Sequence, residues 1–208
     1  MVRVLLVDDH PVVRKGMKAI LEDELPGVAV VEAGNGDDAL AALGEPTDVV
    51  VLDLSMPGRS GIDLLAEIKH RHPHLPVLIM SLHSEEQFAV RALRAGASGY
   101  VSKAAAPQQL VAAVHKVIGG GRYVSPALAE RLADDVAAGT SAALHERLSH
   151  REFEVMRGIA SGRTVSEIAT TMRLSVKTVS TYRARLLEKM GLTSNAELTR
   201  YALENGLV

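Results

Sequence analysis

Five side chains in the first half of the chain have the chemistry to handle a phosphoryl group together: Asp8, Asp9, Asp53, Ser81 and Lys103. Each falls at or just past the end of a short apolar run. Three carboxylates brought together repel one another unless a cation lies among them. Their hard oxygens suit Mg2+, an ion that keeps several waters and favours sites containing phosphate. An ammonium and a hydroxyl facing them would balance the charge of a phosphoryl group. The set therefore fits phosphoryl transfer to a carboxylate nucleophile, with metal and lysine neutralising the equatorial oxygens.

The elements that must position these groups are legible in the alternation of the first 120 residues. Apolar, β-branched runs at 4–7, 28–32, 49–52, 77–80 and 99–101 predict five strands. Amphipathic stretches near 12–21, 37–43, 62–71, 87–95 and 110–118 predict a helix after each strand. Five strand–helix repeats are the sequence form of a doubly wound α/β sheet of parallel strands. In such a sheet ligands bind beyond the carboxyl ends of the strands, where the five side chains fall.

A Gly119-Gly120-Gly121 run ends this pattern. The stretch 121–144 then reads as a linker holding one short helical segment at 126–136. From Ser149 onward strand signals vanish, and helices are predicted at 151–161, 165–172, 176–190 and 195–205. Ser149 and Glu152 have capping-box spacing, Ser175 suits an N-cap, and Gly162 and Gly191 sit where helices stop. The expected domains are thus 1–120, a linker at 121–144, and 145–208.

Composition separates the two halves. The 208 residues carry a formal net charge of −2, but residues 1–144 hold −5 and residues 145–208 hold +3. An acidic module joined to a basic one predicts that the second half meets a polyanion. Cysteine is absent, which excludes disulfides, thiol catalysis and cysteine-based metal centres. The opening apolar run is too short for a signal peptide, and no later run approaches the ~18 apolar residues of a membrane span. The expectation is a cytoplasmic protein that does not engage a membrane.

The motifs Val7-Asp8-Asp9-His10, Leu52-Asp53-Leu54-Ser55-Met56-Pro57-Gly58, Met80-Ser81 and Gly99-Tyr100-Val101-Ser102-Lys103 resemble the receiver domain of response regulators. The resemblance spans residues 3 to about 120. It implies that Asp53 accepts a phosphoryl group from a sensor histidine kinase. It also implies that Asp9 and Asp53 bind Mg2+ directly, Asp8 through water, and the carbonyl of Ser55 as a further ligand. Ser81 and Lys103 would contact the phosphoryl oxygens, and Tyr100 would be the aromatic switch. Ala104 stands where many receivers have proline, so the usual cis peptide bond after the lysine is not expected.

In the second half, a short helix, the turn Arg173-Leu174-Ser175 and a longer helix have helix-turn-helix proportions. Leu148-Ser149-His150-Arg151-Glu152, Val165-Ser166-Glu167-Ile168-Ala169, Leu174-Ser175-Val176-Lys177-Thr178-Val179 and Leu186-Leu187-Glu188-Lys189-Met190 resemble the LuxR-type DNA-binding domain. The order of the modules resembles the NarL/FixJ family. Matched residue by residue, Ser180, Thr181 and Ala184 fall at base-edge positions, and Lys177, Thr178, Tyr182, Arg185 and Lys189 near phosphates. Leu198, Tyr201 and Ala202, on one stripe of the last helix, are candidates for a dimer contact. The resemblance implies a transcription regulator that binds promoter DNA as a homodimer after phosphorylation, with RNA polymerase as a further expected partner.

An enzyme of the haloacid dehalogenase type would also use strand-end aspartates and Mg2+. It requires a second aspartate two residues after the nucleophile, where this chain has Ser55. The expectation is a protein without turnover on an external substrate.

Overall fold

The computed structural model describes residues 2–56, 61–81, 85–104, 107–126, 128–130, 133 and 143–208. The chain divides into two units, 1–134 and 135–208, each with its own core.

The first unit alternates β1 (Val2–Val7), α1 (Pro11–Glu24), β2 (Val28–Ala33), α2 (Gly36–Ala42), β3 (Val49–Asp53), α3 (Gly61–Arg71), β4 (Val77–Ser81), α4 (Glu85–Arg94), β5 (Gly99–Ser102) and α5 (Pro107–Ile118). All five strands run parallel in the order β2-β1-β3-β4-β5. The expected doubly wound sheet is therefore present. Its order reverses between β1 and β3, which opens a crevice at their carboxyl ends.

Side-chain alternation decides which groups share a side of the sheet. Val4 and Leu6 of β1, Val49 and Val51 of β3, Leu78 and Met80 of β4 and Val101 of β5 join one core with Met17, Leu21, Leu110 and Val114 of α1 and α5. Continuing the period of two places Asp8, Asp53 and Lys103 in the same phase. Ile79, Ser81 and Tyr100 belong to the other phase, and Ile79 lies opposite Tyr100 in the β4–β5 register.

The chain does not leave the sheet at the glycine run. Tyr123 donates its N–H to the carbonyl of Ser98 at 3.0 Å and accepts the N–H of Tyr100 at 3.0 Å. A Cβ at Gly99 would stand 2.6 Å from the carbonyl oxygen of Tyr123, so glycine is required for this approach. Leu128 is buried in the same unit. Of the helix expected at 126–136, Pro126, Leu128, Ala129, Glu130 and Ala133 are helical. The remainder, with linker residues 134–142 and with Pro57 and Gly58, lies outside the described residues.

The second unit holds a 3-10 turn (Leu144–Arg147) and the helices α6 (His150–Ala160), α7 (Val165–Met172), α8 (Val176–Met190) and α9 (Asn195–Glu204). Serine or threonine caps all four helices, and Ser149 with Glu152 closes the expected capping box. A second box, Thr164 with Glu167, starts α7. Phe153, Val155, Met156, Ile168, Val179, Leu186, Met190, Leu198 and Ala202 fill the core. The turn between α7 and α8 passes through Arg173 at φ 54°, a left-handed conformation usually left to glycine, whereas Gly191 supplies it at the end of α8 with φ 65°.

Candidate functional site

At the β1/β3 crevice the structure brings Asp8, Asp53 and Lys103 into contact, with Asp9 in the same cluster. Asp8 and Asp53 are each 1% exposed, and the Lys103 side chain is 6% exposed. The Lys103 Nζ lies 2.6 Å from Asp8 Oδ2 and 2.7 Å from Asp53 Oδ2, bridging the ends of β1 and β3. The backbone aims it, because Lys103 donates its N–H to the carbonyl of Ser81 at 2.8 Å. No cis peptide bond occurs among the described residues, and Ala104 instead donates its N–H to Ser102 Oγ at 3.2 Å.

The opposite oxygens are held by backbone. Ser55 donates its N–H to Asp53 Oδ1 at 3.0 Å, and His10 donates its N–H to Asp8 Oδ1 at 2.7 Å. Ser81 is fully buried at the end of β4, and Tyr100 is fully buried in β5. Gly61 N–H donates to the carbonyl of Leu54 at 3.2 Å, and a Cβ there would stand 2.5 Å from the backbone of Asp53 and Leu54. The first turn of α3 thus rests directly on the segment that presents Asp53. Sequence reading passed over Gly61, since a glycine beginning a helix carries no chemical signature.

The electrostatics expose a deficit of positive charge. Burial pushes the Asp53 carboxyl above its ordinary range, and Asp8 adds to the rise while Lys103 and the Ser55 N–H oppose it. Burial works against the charge of Lys103, but Asp53 and Asp8 together outweigh it and hold its ammonium above the usual lysine range. One ammonium does not neutralise three carboxylates. Single donor atoms from Asp8, Asp9, His10 and Asp53 all lie within 4.8 Å of one another, a set that could hold a metal ion. The three carboxylates of this set fit a hard divalent cation in chemistry and in spacing.

In the second unit, α8 presents a polar outer surface. Lys177, Ser180, Thr181, Ala184, Arg185 and Lys189 are exposed, and Thr178 and Tyr182 are half-buried. Several carry internal bonds. Thr181 Oγ1 donates to the carbonyl of Lys177 at 3.0 Å, and Thr178 Oγ1 lies 2.7 Å from Ser175 Oγ. Lys189 Nζ lies 2.7 Å from Glu152 Oε2, an ion pair that ties α8 to the start of α6. Arg183 Nε donates to Asn195 Oδ1 at 2.7 Å.

One expectation needs correction. Leu198 and Ala202, taken as candidates for a dimer contact, are fully buried in the core of their own unit. Tyr201 is half-buried and its hydroxyl meets the backbone N–H and Nδ1 of His145 at 3.4 and 3.0 Å. Their i, i+3, i+4 spacing marks the inward stripe of α9. The large apolar residue exposed on this helix is Leu203, at 62%.

Comparison with known proteins agrees with both halves. The response regulator receiver domain matches residues 4–115, and the luxR family of bacterial regulatory proteins matches residues 146–202. Response regulator UvrY of Escherichia coli (strain K12) is 38% identical over 210 residues, covering 100% of this chain and 96% of the relative. Response regulator GacA of Pseudomonas aeruginosa is 36% identical, covering 100% and 98%. The structure of RcsB from Salmonella enterica serovar Typhimurium, bound to promoter rprA in the presence of phosphomimetic BeF3−, aligns with a TM-score of 0.62 at 30% identity, covering 97% of this chain and 98% of that one. Among the described residues no helix is long and apolar enough to cross a membrane. The chain belongs to the NarL/FixJ family of response regulators, with an amino-terminal receiver and a carboxy-terminal LuxR-type helix-turn-helix.

Proposed function

We propose that Asp53 is phosphorylated by a sensor histidine kinase and that this modification controls binding of the second unit to promoter DNA as a homodimer. The observation that carries the reading is the bridge from Lys103 to both Asp8 and Asp53 inside the buried crevice. An Asp53 oxygen attacks the phosphorus of a phosphohistidine, the P–N bond breaks, and its electron pair returns to the imidazole. Lys103 shifts its charge onto the arriving phosphoryl oxygens, and Ser81 closes on them from β4. Asp8, Asp9, Asp53 and the Ser55 carbonyl would hold Mg2+, which when bound neutralises phosphoryl charge. Tyr100, in the same sheet phase as Ser81, relays the change of packing across the sheet. The chemistry consumes the carboxylate once per phosphorylation, so the protein acts as a switch without turnover on an external substrate.

In the second unit α8 enters the major groove. Lys177 and Arg185 meet phosphates, with Thr178 and Tyr182 beside them, while Ser180, Thr181 and Ala184 face base edges. Lys189 also borders that surface, but its bond to Glu152 makes it chiefly a structural cation. The exposed outer side of α9, with Leu203, is the surface on which two copies meet. Residues 1–120 act as receiver, with Tyr123 bonded back to β5, and 145–208 as the DNA-binding domain. RNA polymerase is a further partner at promoters, and the chain works in the cytoplasm. Incubation with a phosphohistidine donor or acetyl phosphate tests the site: Mg2+-dependent labelling is expected in the parent protein and absent from Asp53→Asn. Undiminished labelling of that variant overturns the assignment.

A further inference from the structure

The cation site contains a group that the phosphoryl chemistry above does not use. His10 Nδ1 lies 2.9 Å from Asp9 Oδ1 and 3.4 Å from Asp8 Oδ1. Its imidazole belongs to the same donor set as Asp8, Asp9 and Asp53, within 4.8 Å. We propose that His10 is a nitrogen ligand of the divalent-cation site and biases it toward ions that accept imidazole, such as Mn2+, over Mg2+. The inference rests on the reading of the crevice as a metal-dependent phosphoacceptor site.

Three observations support direct ligation. First, His10 occupies the N-cap position of α1, yet its side chain makes no cap hydrogen bond, and Pro11 at the first helical position has no N–H to satisfy. The ring is therefore not committed to the helix. Second, the His10 N–H is bonded to Asp8 Oδ1 at 2.7 Å, which folds this corner over the carboxylates. The side chain remains 53% exposed, at the solvent mouth of the cluster. Third, a six-coordinate ion with bonds of about 2.1 to 2.2 Å spaces adjacent donors by about 3 Å. The Asp9–His10 ion pair at 2.9 Å already holds Nδ1 about that far from a carboxylate oxygen of the site, so an ion can take the place of the proton between them with little movement of either side chain. Ligation uses the Nδ1 lone pair, so the ring proton resides on Nε2.

The chemical consequence is selectivity. An all-oxygen set suits Mg2+ and Mn2+ alike, whereas imidazole binds first-row transition ions and contributes little to Mg2+. Nitrogen at one corner therefore raises affinity for Mn2+ without a matching gain for Mg2+.

The test uses the full-length protein and Mn2+ as probe. Free Mn2+ is counted by electron paramagnetic resonance during titration, Mg2+ affinity is obtained by competition, and the bound ion is examined for electron spin-echo modulation from 14N. The expected result is directly coordinated 14N in the parent protein, lost in both His10→Ala and His10→Asn. Mn2+ affinity should fall about tenfold in these variants while Mg2+ affinity changes less than twofold. Equal weakening of both ions would mean that His10 merely orients Asp9. That result, unchanged Mn2+ affinity, or 14N coupling absent from the parent or surviving in the variants would each overturn the inference. Asp9→Asn separates the two readings, because it should weaken both ions severely. If it binds both as the parent does, the metal site itself is misassigned.

Discussion

Lys189 at the end of α8 holds the buried carboxylate of Glu152 at the start of α6, and the same oxygen that accepts the ammonium at 2.7 Å also accepts the Ser149 N–H at 2.7 Å. The capping box and the ion pair are thus one cluster, with Glu152 3% and Lys189 44% exposed. Lys189→Ala leaves a buried carboxylate with its Ser149 bond but without its cation, and should cost about 1 to 2 kcal/mol of stability. At about 4 to 8 °C per kcal/mol for a domain of this size, that corresponds to a fall in Tm of roughly 4 to 16 °C. Burial pushes Glu152 upward, but Lys189 and Ser149 together hold it below the ordinary 4.5. A depressed carboxylate stabilises the fold above its unfolded pKa and loses that contribution as pH falls through the folded value. Melting between pH 7 and 3 should therefore show the parent losing, below about pH 4.5, stability that Lys189→Ala lacks throughout.

The receiver should behave in the opposite sense. Asp53 is buried and held above its ordinary pKa, so its ionisation disfavours the metal-free fold as pH rises through the folded value. Asp53→Asn removes one of the crowded charges. Without metal the variant should melt at or above the temperature of the parent near pH 7. Addition of Mg2+ should raise the parent's Tm and leave the variant nearly unchanged, and chelation should reverse the effect. Calorimetry of both proteins with Mg2+ and with chelator checks this. A parent indifferent to Mg2+ would remove the basis for a cation in the crevice.

Gly61→Ala tests how tightly the fold positions Asp53. The added methyl would stand 2.5 Å from the Asp53 carbonyl oxygen and the Leu54 Cα, both backbone atoms, so the β3–α3 segment must shift. Backbone displacement of this kind costs about 1 to 3 kcal/mol. It also re-aims a nucleophile whose rate depends on ångström-scale placement. The rate of labelling by acetyl phosphate should fall at least tenfold, with Mg2+ affinity reduced less. A rate equal to the parent's would show that the segment adapts freely.

The reading of the sequence succeeded where chemistry and periodicity coincide. Asp8, Asp53 and Lys103 each follow an apolar run, and strand alternation alone puts them on one side of the sheet, where the structure joins them within 2.7 Å. It was less informative where a residue acts through space without a chemical label. Gly61 supports Asp53 through the absence of a side chain. Tyr123, placed in a linker by the glycine run before it, returns to bond β5 on both sides of Gly99, a pairing no local pattern encodes. In α9, Leu198 and Ala202 have the spacing of an interface and of a core alike; only the packing against the rest of the unit decides that they face inward.

The internal bonds of α8 sharpen the tests of DNA recognition. Lys177 and Arg185 are exposed, and Lys177→Ala or Arg185→Ala should weaken binding to specific and random duplexes together. The slope of log K against log salt should drop in magnitude by about one for each phosphate-neutralising cation removed, or two for a symmetric dimer. Lys189→Ala should change that slope less than Lys177→Ala, since its ammonium already serves Glu152. Thr181 divides the question of base readout further. Its hydroxyl donates to the Lys177 carbonyl, so what it offers a base edge is its methyl group and the oxygen's remaining acceptor capacity. Thr181→Ala removes both and should cost roughly 1 to 3 kcal/mol at the specific site, with the salt slope nearly unchanged. Thr181→Val keeps a methyl and removes the acceptor. Full affinity in the valine variant identifies contact with a thymine methyl, and weakened binding in both variants identifies a hydrogen bond accepted from a base. Fluorescence anisotropy over a series of salt concentrations, with melting curves to confirm folding, distinguishes these outcomes. If Thr181→Ala weakens random and specific DNA alike while Lys177→Ala has no effect, α8 does not dock in the groove as proposed.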